Sequence, residues 1–130
     1  MGFWSGSSKK KILCADDDEN VLSLLEMALD GAGYEVDTAA NGPAAVKALT
    51  SKNYDLAILD HNMPGMTGVQ ILEVITPSPH AKNTKFIMLT AESQVGVIDR
   101  AFSYKAAEYI VKPFDVAKLL MKVAAVLEKK

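Results

Sequence analysis

The sequence predicts an α/β domain with a doubly wound, five-stranded parallel sheet and helices on both faces. Three observations predict it. Short apolar runs alternate with segments whose apolar residues recur every three or four positions, the pattern of strands alternating with amphipathic helices. Two runs, Leu56-Ala57-Ile58-Leu59 and Phe86-Ile87-Met88-Leu89, are apolar throughout, as strands buried on both faces of a parallel sheet are. Acids, a hydroxyl and a lysine directly follow the runs, and open parallel sheets bind ligands beyond the carboxyl ends of their strands.

Lys11 to Ala15 is the first strand, running into Asp16 and Asp17. Val21, Leu22, Leu25, Ala28, Leu29 and Ala32 then mark a helix, with Asp18 as N-cap and Gly33 at the C-terminal glycine position. Tyr34 to Thr38 alternates polar and apolar residues, a strand with one wetter face. Asn41-Gly42-Pro43 opens a second helix carrying Ala45, Ala48 and Leu49. Leu56 to Leu59 is the third strand, and Asn62-Met63-Pro64-Gly65 breaks the chain after it. Val69, Ile71, Leu72 and Ile75 form the face of a third helix, ended by Pro77-Ser78-Pro79. Phe86 to Leu89 is the fourth strand, followed by a helix from Glu92 to Phe102 and a fifth strand from Glu108 to Val111. Val116, Leu119, Leu120, Val123 and Leu127 define a closing helix capped by Asp115. Right-handed crossovers between parallel strands lay these helices on both faces and bring the strand ends into one crevice.

A length of 130 residues supports one domain with a real core. Residues 1–9 read as a leader or flexible tail and 10–130 as the domain. With 49% hydrophobic and 23% charged residues the composition is ordinary, and a net charge of −2 argues against a general nucleic-acid binder. No apolar run approaches the ~20 residues that span a bilayer. Cys14 is the sole cysteine, which excludes an internal disulfide and a cysteine-based zinc site. Within its apolar run it reads as a buried small hydrophobe, and a reducing cytoplasm is the expected location.

Three carboxylates brought together repel, so either their pKa values rise or a cation neutralises them. Magnesium, bound by one or two carboxylates with waters and substrate phosphate, suits Asp16, Asp17 and Asp60. A capped helix start also accounts for Asp18 and Glu19, though not for the two acids before them. Asp60 follows a fully apolar strand, where a carboxylate is costly unless used. Beside a metal it can attack phosphorus and form an aspartyl phosphate. Lys112 offers a point charge to one phosphoryl oxygen and Thr90 a hydrogen bond to another, with small Ala91 leaving access. Singly, Thr90 is equally a helix cap and Lys112 a solvated strand end; their joint placement is what points to phosphate.

The stretches Lys11 to Glu19, Asp55 to Gly68 and Ile110 to Phe114 resemble, in this order, the strongest motifs of the receiver (response-regulator) domain of two-component signalling. The resemblance spans about residues 10 to 128. It implies a CheY-like, flavodoxin-like sheet of strand order 2-1-3-4-5 and a domain that takes a phosphoryl group from a histidine kinase or histidine phosphotransfer protein. By the same resemblance Asp60 is the phosphoacceptor, Asp17 a direct Mg2+ ligand, Asp16 a ligand largely through water, and the Asn62 carbonyl a further ligand. Thr90 and Tyr109 match the switch pair, Lys112 the phosphate partner, and Lys112-Pro113 a cis peptide. Asn62 and Glu92 occupy positions that tune phosphoryl lifetime and match the chemotaxis regulator that faces the flagellar motor, implying a short-lived phosphoryl group. Output is expected on the face of the fourth helix, fifth strand and fifth helix, toward a protein and not toward nucleic acid or membrane. The domain is expected not to be an enzyme beyond its own phosphorylation and dephosphorylation.

Tyr104-Lys105-Ala106-Ala107-Glu108 departs from the family's frequent Gly-Ala-Asp stretch, which weakens an inference of the acid-dependent dimer. His61 is expected to point away from Asp60, and His80, Lys118 and Lys122 to be plain surface. Competing readings fit less well. An aspartyl-phosphate hydrolase wants a second acid two residues after the nucleophile, where Asn62 stands. An FMN binder wants a Ser/Thr/Gly loop where Asp16-Asp17-Asp18 would repel phosphate. An unphosphorylated scaffold that keeps the site is a fourth reading.

Overall fold

The structure, a computed structural model, describes residues 9–91 and 106–128. In chain order these form β1 (Lys11–Ala15), α1 (Glu19–Gly31), β2 (Glu35–Ala39), α2 (Gly42–Ser51), β3 (Leu56–Asp60) and α3 (Gly68–Ile75). A 3-10 turn (Pro79–Ala81), β4 (Lys85–Ala91), β5 (Ala106–Lys112) and a closing helix (Val116–Glu128) follow. The expected helix from Glu92 to Phe102, the lifetime position Glu92 and all of the expected leader except Lys9 lie outside the described residues.

The strands form one parallel sheet in the order β2-β1-β3-β4-β5. Winding proceeds outward from β1 to β2, then returns to β3 on β1's other side. The reversal therefore falls between β1 and β3, whose carboxyl ends lead into Asp16 and carry Asp60. A ligand crevice is expected at such a point.

Alternation along the strands divides the core in two. Leu13, Ala57, Leu59, Phe86 and Met88 pack with Ala45, Leu49, Val69, Ile71, Leu72 and Ile75 from α2 and α3. Ile12, Cys14, Ile58, Ile87 and Leu89 pack with Leu22, Leu25 and Leu29 of α1 and with Leu119, Val123 and Val126 of the closing helix. Cys14 is wholly buried. Burial, then the charges of Glu26 and Asp16, push its thiol up to about 12, so it is an inert filler, as expected.

The punctuation residues act where the sequence places them. Asp18 accepts from the Asn20 N–H and Asp115 from the Ala117 N–H. Gly33, past the end of α1, has φ +96°, a conformation that costs a side-chain-bearing residue dearly. Strand lengths differ from expectation. β5 begins two residues before Glu108, because Ala106 pairs with Phe86 of β4. Sheet pairing overrides the poor strand preference of alanine and glutamate. Thr67 and Gln70 form a capping box at the start of α3, a pattern with a sequence signature of its own.

Candidate phosphoryl and metal site

The site is built from the ends of β1, β3, β4 and β5. Asp16 continues β1, its N–H donating to the Ala39 carbonyl at 3.1 Å. Past the end of β1, Asp16 is fully buried and Asp17 exposed. Asp60 ends β3, 2% exposed. Thr90, buried near the end of β4, lies across from Val111, and Ala91 across from Lys112. Pairing in parallel register thus delivers three strand-end side chains to one edge. The Lys112-Pro113 peptide is cis, as the resemblance implies.

Lys112 bridges the two buried acids. Its Nζ lies 2.8 Å from Asp16 Oδ2 and 3.3 Å from Asp60 Oδ2. The remaining oxygens accept from backbone: Asp18 N–H to Asp16 Oδ1 at 2.9 Å, and Asn62 N–H to Asp60 Oδ1 at 3.0 Å. A carboxylate oxygen from each of Asp16, Asp17 and Asp60 lies within 4.8 Å of the others. Three carboxylates against one ammonium leave the cluster two negative charges in excess.

Burial and neighbouring charge together set the titration of Asp60. Burial raises its pKa most, and the Asp16 charge adds to this. The Asn62 N–H and Lys112 oppose the rise without cancelling it. For Lys112, burial would lower the pKa, but the hydrogen bond to Asp16 and the charges of Asp60 and Asp16 raise it overall. The ammonium is therefore locked on, yet does not balance the acids. A donor set of three carboxylates, one facing solvent, fits a hard divalent cation such as magnesium, which keeps several waters and takes one or two protein oxygens readily.

Thr90 Oγ1 donates to the Ala91 carbonyl at 3.2 Å. Tyr109 is half-buried in β5 and packs against the core on the α2 and α3 face. Asn62 is exposed, its N–H on Asp60. Gly68 opens α3 directly over the site's floor; a Cβ there would collide with Met88 Cε and crowd the His61 backbone. His61 is buried, which lowers its pKa, and its Nδ1 has no hydrogen-bond partner among the described residues.

Two expectations need correcting. Lys122 is not merely on the wet side of the closing helix. It pairs with Glu108 at 3.3 Å and donates to the Tyr109 carbonyl at 3.2 Å. Helical periodicity reveals an outward face but not a neighbouring strand. His80 is also engaged, its Nδ1 2.9 Å from Asn53 Oδ1. Lys118 is exposed, as expected. No helix among the described residues is long and apolar enough to cross a membrane.

The family profile of the response regulator receiver domain matches residues 12–124. The transcriptional regulatory protein ResD of Bacillus subtilis is 35% identical over 123 residues, covering 95% of this chain and 50% of ResD. The chain thus spans about half the length of the curated relatives it matches. Among solved structures, the Vibrio cholerae chemotaxis protein CheY4 superposes with a TM-score of 0.86 at 32% identity, over 92% of this chain and 99% of that one. The Thermotoga maritima response regulator TrrA, in complex with Mg(2+)-BeF, gives 0.78 at 40% identity, over 90% and 98%. With strand order, acidic cluster and sequence in agreement, the chain belongs to the response regulator receiver domain family, a family of signalling domains.

Proposed function

We propose that the domain takes a phosphoryl group from a histidine kinase or histidine phosphotransfer protein onto Asp60, and that its altered surface then controls a partner protein. One observation carries this reading: the Lys112 ammonium held 2.8 and 3.3 Å from two buried carboxylates, with Asp17 on the open side. An Asp60 oxygen attacks phosphorus while the P–N bond to the donor imidazole breaks. That electron pair returns to the ring nitrogen, which takes up a proton as the donor leaves. Lys112 releases Asp16 to follow a phosphoryl oxygen, and the Thr90 hydroxyl turns from the Ala91 carbonyl to donate to another. Asp17, Asp60 and the Asn62 carbonyl, with Asp16 largely through water, would hold magnesium, which would supply neutralisation of phosphoryl charge. The Mg(2+)-BeF complex of the similar TrrA supports this assignment.

Asn62 and Glu92, two residues past Asp60 and Thr90 in the sequence, set the lifetime of the acyl phosphate before water hydrolyses it. The domain catalyses only these two events on itself. Tyr109 turns inward after Thr90, biasing an existing second conformation of the surface formed by the predicted fourth helix, β5 and the closing helix. That surface faces a protein, not nucleic acid or a membrane, in the cytoplasm.

Incubation with acetyl phosphate and magnesium, followed by intact mass, tests the assignment. Wild type gains one phosphoryl mass and Asp60→Ala none. Equal labelling of the variant, or none of wild type, refutes it.

A further inference from the structure

Among the described residues β5 ends the sheet, and the backbone groups on its outer side meet no further strand there. At Tyr109 those groups are taken by side chains. Glu108 Oε1 accepts from the Tyr109 N–H at 3.0 Å, and Lys122 Nζ donates to the Tyr109 carbonyl at 3.2 Å. Lys122 closes the arrangement by pairing with Glu108 Oε1 at 3.3 Å. The same ammonium stands over the Tyr109 ring, 5.6 Å from its centroid, within the range of a cation–π attraction. One lysine on the closing helix thus holds the strand backbone, the neighbouring acid and the ring together. Lys122 is 27% and Glu108 36% exposed, so the attraction is only partly screened.

We propose that Lys122 and Glu108 form a brace that holds the Tyr109 ring at the outer edge of the sheet and opposes its inward turn. The inference rests on the proposed switch role of Tyr109 and adds its regulation. An inward turn leaves the backbone bonds in place but takes the ring away from the ammonium. Loss of the cation–π contact is equivalent to about a two- to five-fold shift in the equilibrium between ring positions.

The test uses the full chain labelled with 3-fluorotyrosine, which reports on its four tyrosines, with Tyr109 assigned by Tyr109→Phe. Without magnesium, Lys122→Met moves the Tyr109 resonance toward the position it takes in saturating beryllofluoride and magnesium. It also lowers the half-saturating beryllofluoride concentration by about two- to five-fold. Lys122→Arg keeps both wild-type values. Lys118→Met, which removes an equal charge from the same helix, moves neither. A Lys122→Met variant indistinguishable from Lys118→Met, in a protein whose wild-type Tyr109 resonance does move, overturns the brace alone. A wild-type resonance that stays still at saturation overturns the switch reading and the brace with it.

Discussion

Two clusters in this molecule use the same residue types to opposite effect. At the carboxyl ends of the strands, Lys112 meets Asp16 and Asp60 in buried surroundings. At the rim of β2, Lys52 meets Asp37 at 2.9 Å and the Tyr54 hydroxyl donates to the same carboxylate at 2.6 Å. The Tyr54 hydrogen bond, then Lys52, hold the Asp37 pKa below the usual carboxylate range, with mild burial opposing. Burial and the Asp16 charge hold that of Asp60 above it. The rim cluster is hydrogen-bonded, charge-paired and partly solvated. The buried one is short of positive charge, and that shortage is what a cation and a phosphoryl group can exploit.

The largest effect should come from Lys112→Met. It strands two buried carboxylates and should cost about 3 kcal/mol of stability in chelator. Magnesium should recover more stability in this variant than in wild type, which denaturant titrations with and without the ion would read. An equal magnesium increment in both proteins would mean the lysine does not compete for the acids. Asp60→Asn should act in the opposite direction, stabilising the magnesium-free protein at neutral pH by about 1 to 2 kcal/mol. Lys112 keeps Asp16, and one repelling charge is gone.

The pH dependence of these two aspartates should differ in sign. The native state holds the Asp60 proton more tightly than the unfolded chain does. Its contribution is therefore fully present below the unfolded pKa and is lost as pH rises through the raised folded value. Asp37 contributes above the unfolded pKa and loses its contribution as pH falls through the lowered folded value. The gain from Asp60→Asn should accordingly vanish in acid, while Asp37→Asn should be destabilising at neutral pH and neutral in acid. Stability curves of both variants between acid and neutral pH would show whether the signs diverge.

At the rim, Tyr54→Phe should cost about 1 kcal/mol and raise the Asp37 pKa toward its ordinary value, measurable by carboxyl NMR titration. Smallest of all, Lys52→Ala should cost at most about 0.5 kcal/mol, and less in high salt, since both partners are about half exposed. A larger, salt-independent loss would place the rim pair in the same class as the buried one.

Legibility followed the same division. Leu56 to Leu59 could be read as a two-face-buried strand because nothing in it tolerates water, and Asp60 was conspicuous for ending it. The convergence of Asp16, Asp60 and Lys112 followed from parallel topology alone. The rim cluster is not legible in the sequence: Asp37 is only a wet position in an alternating strand, and its partners follow a helix whose exit direction is a tertiary matter. Lys122 escaped for the same reason. Its partner Glu108 lies in a strand whose start is set by pairing with β4 rather than by local preference.

Cys14 is a buried residue of β1 with its thiol held protonated, and the sequence has no second cysteine. A single thiol introduced by mutation on any exposed helix would therefore be the chain's one site for a maleimide dye or nitroxide. Distances between that tag and a bound donor or effector become measurable without first stripping the protein of its own sulfhydryl.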